Sequence, residues 1–219
     1  MLHSNDTASL SQYIQCAASG SQETAGALAD KALDAAGGRL PRAANALNGM
    51  LLNAATIIAT ERPWLDKFID WRNLLRSQAV RGSTREEVRQ RFITAIHRIQ
   101  GAVAPFVRLD TCGLTSREIQ TYVLTHIDEA VTVNSVGAAL YFSSHYLSKK
   151  FKSQTGITLG DYITEMKVAR ARLLMGQGKG RVAGIAGLLG FRDVAYFSRL
   201  FREQVGKSPT EYRRSLVWF

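Results

Sequence analysis

Cysteine is nearly missing from this chain: Cys16 and Cys112 are the only two in 219 residues. Far apart and isolated, they form neither a disulfide framework nor the paired spacing of a zinc site. They read as reduced, packed thiols. Histidine is almost as scarce, and His3, His97, His126 and His145 share no spacing suited to a metal or a catalytic set. No cofactor and no enzymatic activity is therefore expected. Proline is down to four residues, and alternating β-branched runs are few, so helices are expected nearly throughout. Long apolar runs are lacking too: "LLNAATIIA" is far too short to cross a bilayer. The stretch "MLHSNDTASLSQYIQ" has no basic start followed by an apolar run, so no secretion signal is expected. A cytoplasmic protein with no membrane partner is the expectation.

What the chain does have is apolar mass and an uneven positive charge. Hydrophobic residues make up 46%, enough for one large core or two small ones. The net charge is +10. Residues 1–112 hold 13 Lys and Arg against 10 Asp and Glu, whereas residues 113–219 hold 15 against 8. The basic excess of the C-terminal half points to a polyanion, whether DNA, RNA or an acidic membrane surface.

The first half reads as helices. After Pro41, a favoured first-turn residue, Ala43, Leu47, Met50, Leu51, Ala54, Ile57 and Ile58 recur at helical spacing. Pro63 opens a segment in which Trp64, Phe68, Trp71 and Leu75 fall on one face of a predicted helix. That aromatic stripe fits a core or dimer interface better than a ligand pocket. Ser83 and Thr84 each have a glutamate three residues on, the pattern of a capping box. The helix that follows would bury Val88, Phe92, Ile96, Ile99 and Val103. Residues 5–37, rich in Ala and Ser, read as two weaker helices, and a boundary is expected between Pro105 and Gly113.

The second half contains a duplication. Laid over one another at an offset of 50, Tyr146–Tyr162 and Tyr196–Tyr212 agree at six of 17 positions and are close at five more. Each copy follows a short apolar helix and a tight turn, giving two helix-turn-helix outlines joined by a longer helix that ends near Gly176. Leu147 and Phe151 in one copy, and Phe197 and Phe201 in the other, stand four residues apart as anchors. The opposite ridge carries His145, Lys149 and Lys152, matched by Ala195, Arg199 and Arg202, with Ser148 and Ser198 alongside. Such ridges suit the major groove, where Lys and Arg read guanine edges. Lys150, Lys152 and Arg202, with Ser144, Arg192 and the amides at each helix N-terminus, are the expected phosphate contacts. A rigid intervening helix would set the two readers about 34 Å apart, in successive major grooves.

The quoted residues "Tyr146-Leu147-Ser148 … Phe151-Lys152 … Gly156" and "Ile185-Ala186 … Gly190-Phe191 … Tyr196-Phe197-Ser198-Arg199 … Phe201-Arg202 … Gly206-Lys207-Ser208-Pro209 … Tyr212-Arg213" resemble the DNA-binding domain of the AraC/XylS family of bacterial transcription regulators. The resemblance covers residues 116–216. It implies an all-α chain: a helical regulatory or dimerisation module over 1–112, then a double helix-turn-helix domain over 113–219 with a linker helix at about 159–175. By position it puts base reading on His145, Ser148 and Lys149, and on Ala195, Ser198 and Arg199. It further implies binding of double-stranded DNA, activation of transcription and contact with RNA polymerase.

For residues 1–112 a looser resemblance, to the helical region before that domain in response-regulator members, implies only a dimerising or signal-sensing module. A homodimer contact and a small-molecule or protein effector belong to that expectation.

This sequence departs from the family pattern at three glycines. Gly137 stands where alanine is usual, and Gly184 and Gly187 lie inside the second scaffold helix. Each interior glycine costs roughly 1 kcal/mol relative to alanine, so the second unit is expected to be the looser. Ala195 offers no hydrogen bond, which assigns more of the base discrimination to the first unit. Two other functions compete with this one. A DNA-alkylation repair protein sharing this domain would need reactive thiolates in a metal cluster, which Cys16 and Cys112 do not supply. An interaction module with vestigial DNA binding would lack specific, salt-sensitive binding to DNA.

Overall fold

The computed structural model describes residues 21–107 and 113–216, and every regular element among them is a helix. Cys16, Cys112, His3, the expected helix before residue 21 and the junction at 108–112 lie outside the described residues. The chain divides into two compact units, Met1–Arg108 and Leu109–Phe219.

In the first unit, α1 spans Ser21–Ala35, α2 Leu40–Glu61, α3 Trp71–Ser77 and α4 Arg85–Val107. Small residues let α1 lie close to α4: Ala25, Ala29 and Ala32 are buried, and Arg89 passes where a Gly26 side chain would stand, to reach Asp30 at 3.2 Å. Pro41 sits in the first turn of α2, and all the stripe residues of that helix except the half-buried Ile57 are buried. Val88, Phe92, Ile96, Ile99 and Val103 are fully buried on α4, as their spacing requires.

Of the two overlapping caps ahead of α4, Thr84 is the one used. Its hydroxyl accepts the Glu87 amide at 3.2 Å, while the Glu87 carboxylate takes the Ser83 amide at 2.8 Å. The Asn48 side chain ties the loop before α4 to α2, pairing with both backbone groups of Val80 at 3.1 and 2.8 Å.

One expectation is corrected here. The stripe from Trp64 to Leu75 is not one helix. A 3-10 turn over Pro63–Lys67 comes first, and α3 starts afresh because the Asp70 carboxylate accepts the Asn73 amide and caps a new helix. The Trp71 indole also donates to Asp66 at 2.9 Å, folding that ring back toward the preceding turn. Of the stripe only Phe68 is buried, packed on Phe106 with ring centroids 4.7 Å apart. The helix α4 continues through Pro105 to Val107, with the proline in its last turn. Proline removes the amide that would otherwise bond the carbonyl of Gly101, a residue on the exposed side of the helix.

The second unit holds α5 (Leu114–Thr125), α6 (Val133–Ala139), α7 (Ser144–Thr155), α8 (Leu159–Gly176), α9 (Val182–Leu188), α10 (Val194–Val205) and α11 (Pro209–Leu216). The helix α8 belongs to two cores. Its first half gives Tyr162, whose ring packs 5.3 Å from that of Phe151 on α7. Its second half gives Val168, Ala171, Leu174 and Met175 to the cluster around Phe197 and Phe201 on α10. Midway, Arg170 grips the carboxylate of Asp128 with two bonds, of 2.8 and 3.1 Å, fixing α8 to the segment after α5. Packing along its whole length makes α8 a rigid strut between the two helix-turn-helix units.

Candidate nucleic-acid interface

The two units, α6–α7 and α9–α10, are built by the same local rules. Ser143 caps α7 by accepting the Tyr146 amide at 3.1 Å, and Asp193 caps α10 by accepting the Ala195 amide at 2.7 Å. Each helix ends on a glycine in the left-handed region, Gly156 and Gly206, both at φ 80°. Two residues later each copy starts its next helix with a hydroxyl cap: Thr158 with Asp161, and Ser208 with Glu211. Ser208 donates from both its hydroxyl and its amide to Glu211, which holds that carboxyl below its ordinary range; Arg202 and Arg214 contribute in the same direction. The stretch Gly206-Lys207-Ser208-Pro209 is therefore a stop followed at once by a start. The short α11 it opens was not foreseen.

With the caps fixed, the faces separate as their spacing implies. Leu147 and Phe151, and Phe197 and Phe201, are fully buried. His145, Lys149 and Lys152 are exposed on α7; Ala195, Arg199 and Arg202 are exposed on α10; Arg192 is exposed in the turn before it. Ser144, Ser148, Lys150 and Ser198 are half-buried. Lys149, Lys150, Lys152 and Arg199 stand in no ion pair among the described residues, so their charge is uncommitted. The Ser144 hydroxyl donates to Asn134 at 2.7 Å and the Ser198 hydroxyl to the Val194 carbonyl at 2.8 Å. Both can still accept.

One expectation about phosphate binding is corrected. The N-terminal amides of the reading helices are not all free. Ser143 takes one on α7, and on α10 the Asp193 carboxylate sets a negative charge where a phosphate would otherwise be attracted. Arg192 and Arg202, both exposed, are the cations nearest that end and the last turn of α10 in sequence.

The glycines also behave differently from one another. A Cβ on Gly137 would stand 2.8 Å from the Phe142 carbonyl oxygen, so alanine does not fit there. Gly184 and Gly187 face open space. His126, outside these ridges, stacks on Tyr122 with ring centroids 4.1 Å apart and hydrogen-bonds through Nδ1 to the Tyr122 carbonyl, while His97 is exposed on α4. Among the described residues no group of histidines, cysteines and carboxylates could hold a metal, and no helix is long and apolar enough to cross a membrane.

Sequence reading missed Lys167, on α8, which is 7% exposed with its ammonium 5.3 Å from the Phe191 ring centroid. Burial lowers its pKa. The cation–π contact couples the strut to the turn of the second unit.

Two short helix pairs with solvent-facing basic ridges, set on a shared strut, define a double helix-turn-helix protein. A family model described as a helix-turn-helix domain matches residues 136–215. Regulatory protein SoxS of Escherichia coli is 30% identical over 100 residues, 46% of this chain and 94% of SoxS. The arabinose operon regulatory protein of the same organism is 32% identical over 98 residues, 44% of this chain and 34% of that protein. The matches to YisR of Bacillus subtilis and YijO of Escherichia coli, both described as uncharacterized HTH-type transcriptional regulators, span about a third of each, 34%. Among solved structures, the C-terminal domain of AraT, a response regulator from Geobacillus stearothermophilus, is 29% identical over 47% of this chain and 86% of that one, with a TM-score of 0.44. The chain belongs to the AraC/XylS family of transcription regulators.

Proposed function

We propose that this protein is a sequence-specific DNA-binding transcription regulator, an activator, that inserts α7 and α10 into successive major grooves of one duplex. The observation that carries this reading is the matched exposure of two basic ridges, Lys149–Lys152 and Arg199–Arg202, on helices whose opposite faces are locked into the core. His145, Ser148 and Lys149 would read bases from α7, and Ala195, Ser198 and Arg199 from α10, while Ser144, Lys150, Lys152, Arg192 and Arg202 would hold phosphates. Uncommitted ammonium and guanidinium groups on a ridge are what guanine edges and phosphate oxygens require.

The helical unit over the first half is proposed as the regulatory part, taking an effector or a second copy of the chain, and RNA polymerase as the partner once DNA is bound. The reading makes the protein a regulator in the cytoplasm rather than an enzyme.

The test is selection of duplexes from a random-sequence library by the full chain, followed by affinity measurements across a salt series. Enrichment of a common site of about two helical turns, with affinity falling steeply as salt rises, is the expected result. Weak binding that is indifferent to sequence would favour the vestigial alternative.

A further inference from the structure

The two helix-turn-helix units differ in one place that their shared architecture does not explain. The turn from α9 to α10 has five residues, 189–193, and passes through Gly190 at φ 77°. Glycine is required there twice over, by the left-handed backbone and because a Cβ would stand 2.5 Å from that of Ala130. The turn from α6 to α7 has four residues, 140–143, and at the matching place it carries Tyr141 at φ 59°. The match follows from the scaffold hydrogen bonds. The Phe142 amide donates to the Gly137 carbonyl at 3.0 Å, as the Phe191 amide donates to the Ala186 carbonyl at 2.9 Å. The residue before each donor is the left-handed one.

A bulky residue in the left-handed region is strained, and surrounding contacts usually hold it there. Tyr141 has none. Its residue is 95% exposed, and its side chain makes no hydrogen bond or ring contact among the described residues. Its neighbours differ: Phe142 and Tyr146 are also exposed, but their rings stack at 5.1 Å. The Phe142–Gly137 hydrogen bond of the helix C-cap offsets part of the backbone strain, but a glycine would serve that cap better and nothing within the fold covers the ring. A bound partner would.

In a helix-turn-helix bound to DNA, the first helix crosses the sugar-phosphate backbone and the second enters the groove with its N-terminal residues foremost. The turn between them lies over the groove edge, and tyrosine hydroxyls are among the groups that bond to phosphate oxygens there. We infer that Tyr141 is a DNA contact of the first unit, its phenol hydroxyl donating to a phosphate oxygen that flanks the groove read by α7. The second unit, with Gly190 in that place, has no counterpart, so the contact orients one end of the protein on its site. This inference rests on the DNA-binding reading above.

The experiment uses the full chain and a duplex that the wild type selects from a random library. Wild type, Tyr141→Phe, Tyr141→Gly and Lys152→Ala are compared by affinity across a salt series, with thermal melts of each. Tyr141→Phe is expected to weaken binding roughly 10- to 150-fold, the usual loss for one hydrogen bond to a charged group. The slope of affinity against salt should stay unchanged, because no counterion is released by a neutral group. Lys152→Ala should instead flatten that slope by about one unit. Tyr141→Gly is expected to bind as weakly as Tyr141→Phe or more so, yet to melt higher, by roughly 2–5 °C, because the backbone strain is relieved.

Binding by Tyr141→Phe at wild-type strength overturns the inference, including the case in which the ring faces a protein partner instead. A Tyr141→Gly variant that melts lower than wild type overturns the strain argument. A wild type that selects no duplex overturns the DNA-binding reading itself, and this inference with it.

Discussion

Set side by side, the helix-turn-helix units α6–α7 and α9–α10 share caps, buried anchors and terminal glycines but differ in how tightly each is closed. In the first, the turn is one residue shorter and the Phe142 carbonyl is drawn onto the scaffold helix, where only Gly137 leaves room for it. In the second, the longer turn tolerates the buried methyl of Ala186 at the equivalent place, while a Cβ on Gly184 or Gly187 of the same helix would meet nothing within 4 Å. The glycines are therefore not equivalent departures. One is the consequence of a tight turn, and two are loose positions in a short helix whose extra backbone freedom must be lost on folding. The reading faces differ in parallel: the first offers His145 and Lys149, the second Ala195 and Arg199, with an acidic cap at Asp193. The comparison suggests a division of labour in which the tighter unit discriminates and the looser one grips.

The largest effects should fall where the two units are alike. Phe151→Ala and Phe201→Ala each remove a fully buried ring and should cost about 3–5 kcal/mol in denaturant unfolding. A loss below about 1 kcal/mol at either site would mean that the unit does not fold around its anchor. Next come the readers. Lys149→Ala and Arg199→Ala should each cost about 1–3 kcal/mol on a selected site, and Lys149→Ala should relax sequence preference within its half of the site alone. Equal relaxation by both variants would erase the proposed division of labour.

The glycines sharpen the contrast because their signs oppose. Gly137→Ala should destabilise by about 1–3 kcal/mol through overpacking against the Phe142 carbonyl, whereas Gly184→Ala and Gly187→Ala should each stabilise by roughly 0.5–1 kcal/mol. Melting temperatures moving the same way in all three variants would contradict the difference in closure.

The smallest effect is a pH dependence confined to the second unit. The Glu211 carboxyl is held below its ordinary range in the folded chain. The folded state therefore binds that proton less readily than the unfolded one, and the cap contributes stability above the ordinary glutamate range. That contribution fades as pH falls through the lowered value. Glu211→Gln should flatten the acid limb of the stability profile; an unchanged limb would show that the cap is not formed in solution.

Much of this comparison was legible in the sequence because the repeat supplied its own control. Leu147 with Phe151 and Phe197 with Phe201 could be recognised as anchors since one spacing recurs in both copies. The exposed ridges followed from helical geometry alone. Residues decided by local hydrogen bonding were harder to read. The stripe from Trp64 to Leu75 has helical spacing, yet one carboxylate, Asp70, is enough to begin a separate helix. Tyr141 was overlooked because aligning the reading helices at an offset of 50 sets it opposite Phe191; only the scaffold hydrogen bonds, at an offset of 49, place it opposite Gly190. The helix α11 announces itself in Ser208-Pro209-Thr210-Glu211, a hydroxyl cap with a first-turn proline, but its eight residues are too few for periodicity to show.

Protection of guanine N7 from dimethyl sulfate, on a duplex selected by the wild-type chain, tests the twin-reader claim most directly. The account predicts two clusters of protected guanines about ten base pairs apart on one face of the duplex, the first lost in Lys149→Ala and the second in Arg199→Ala. A single cluster, or two that both survive in both variants, would contradict it.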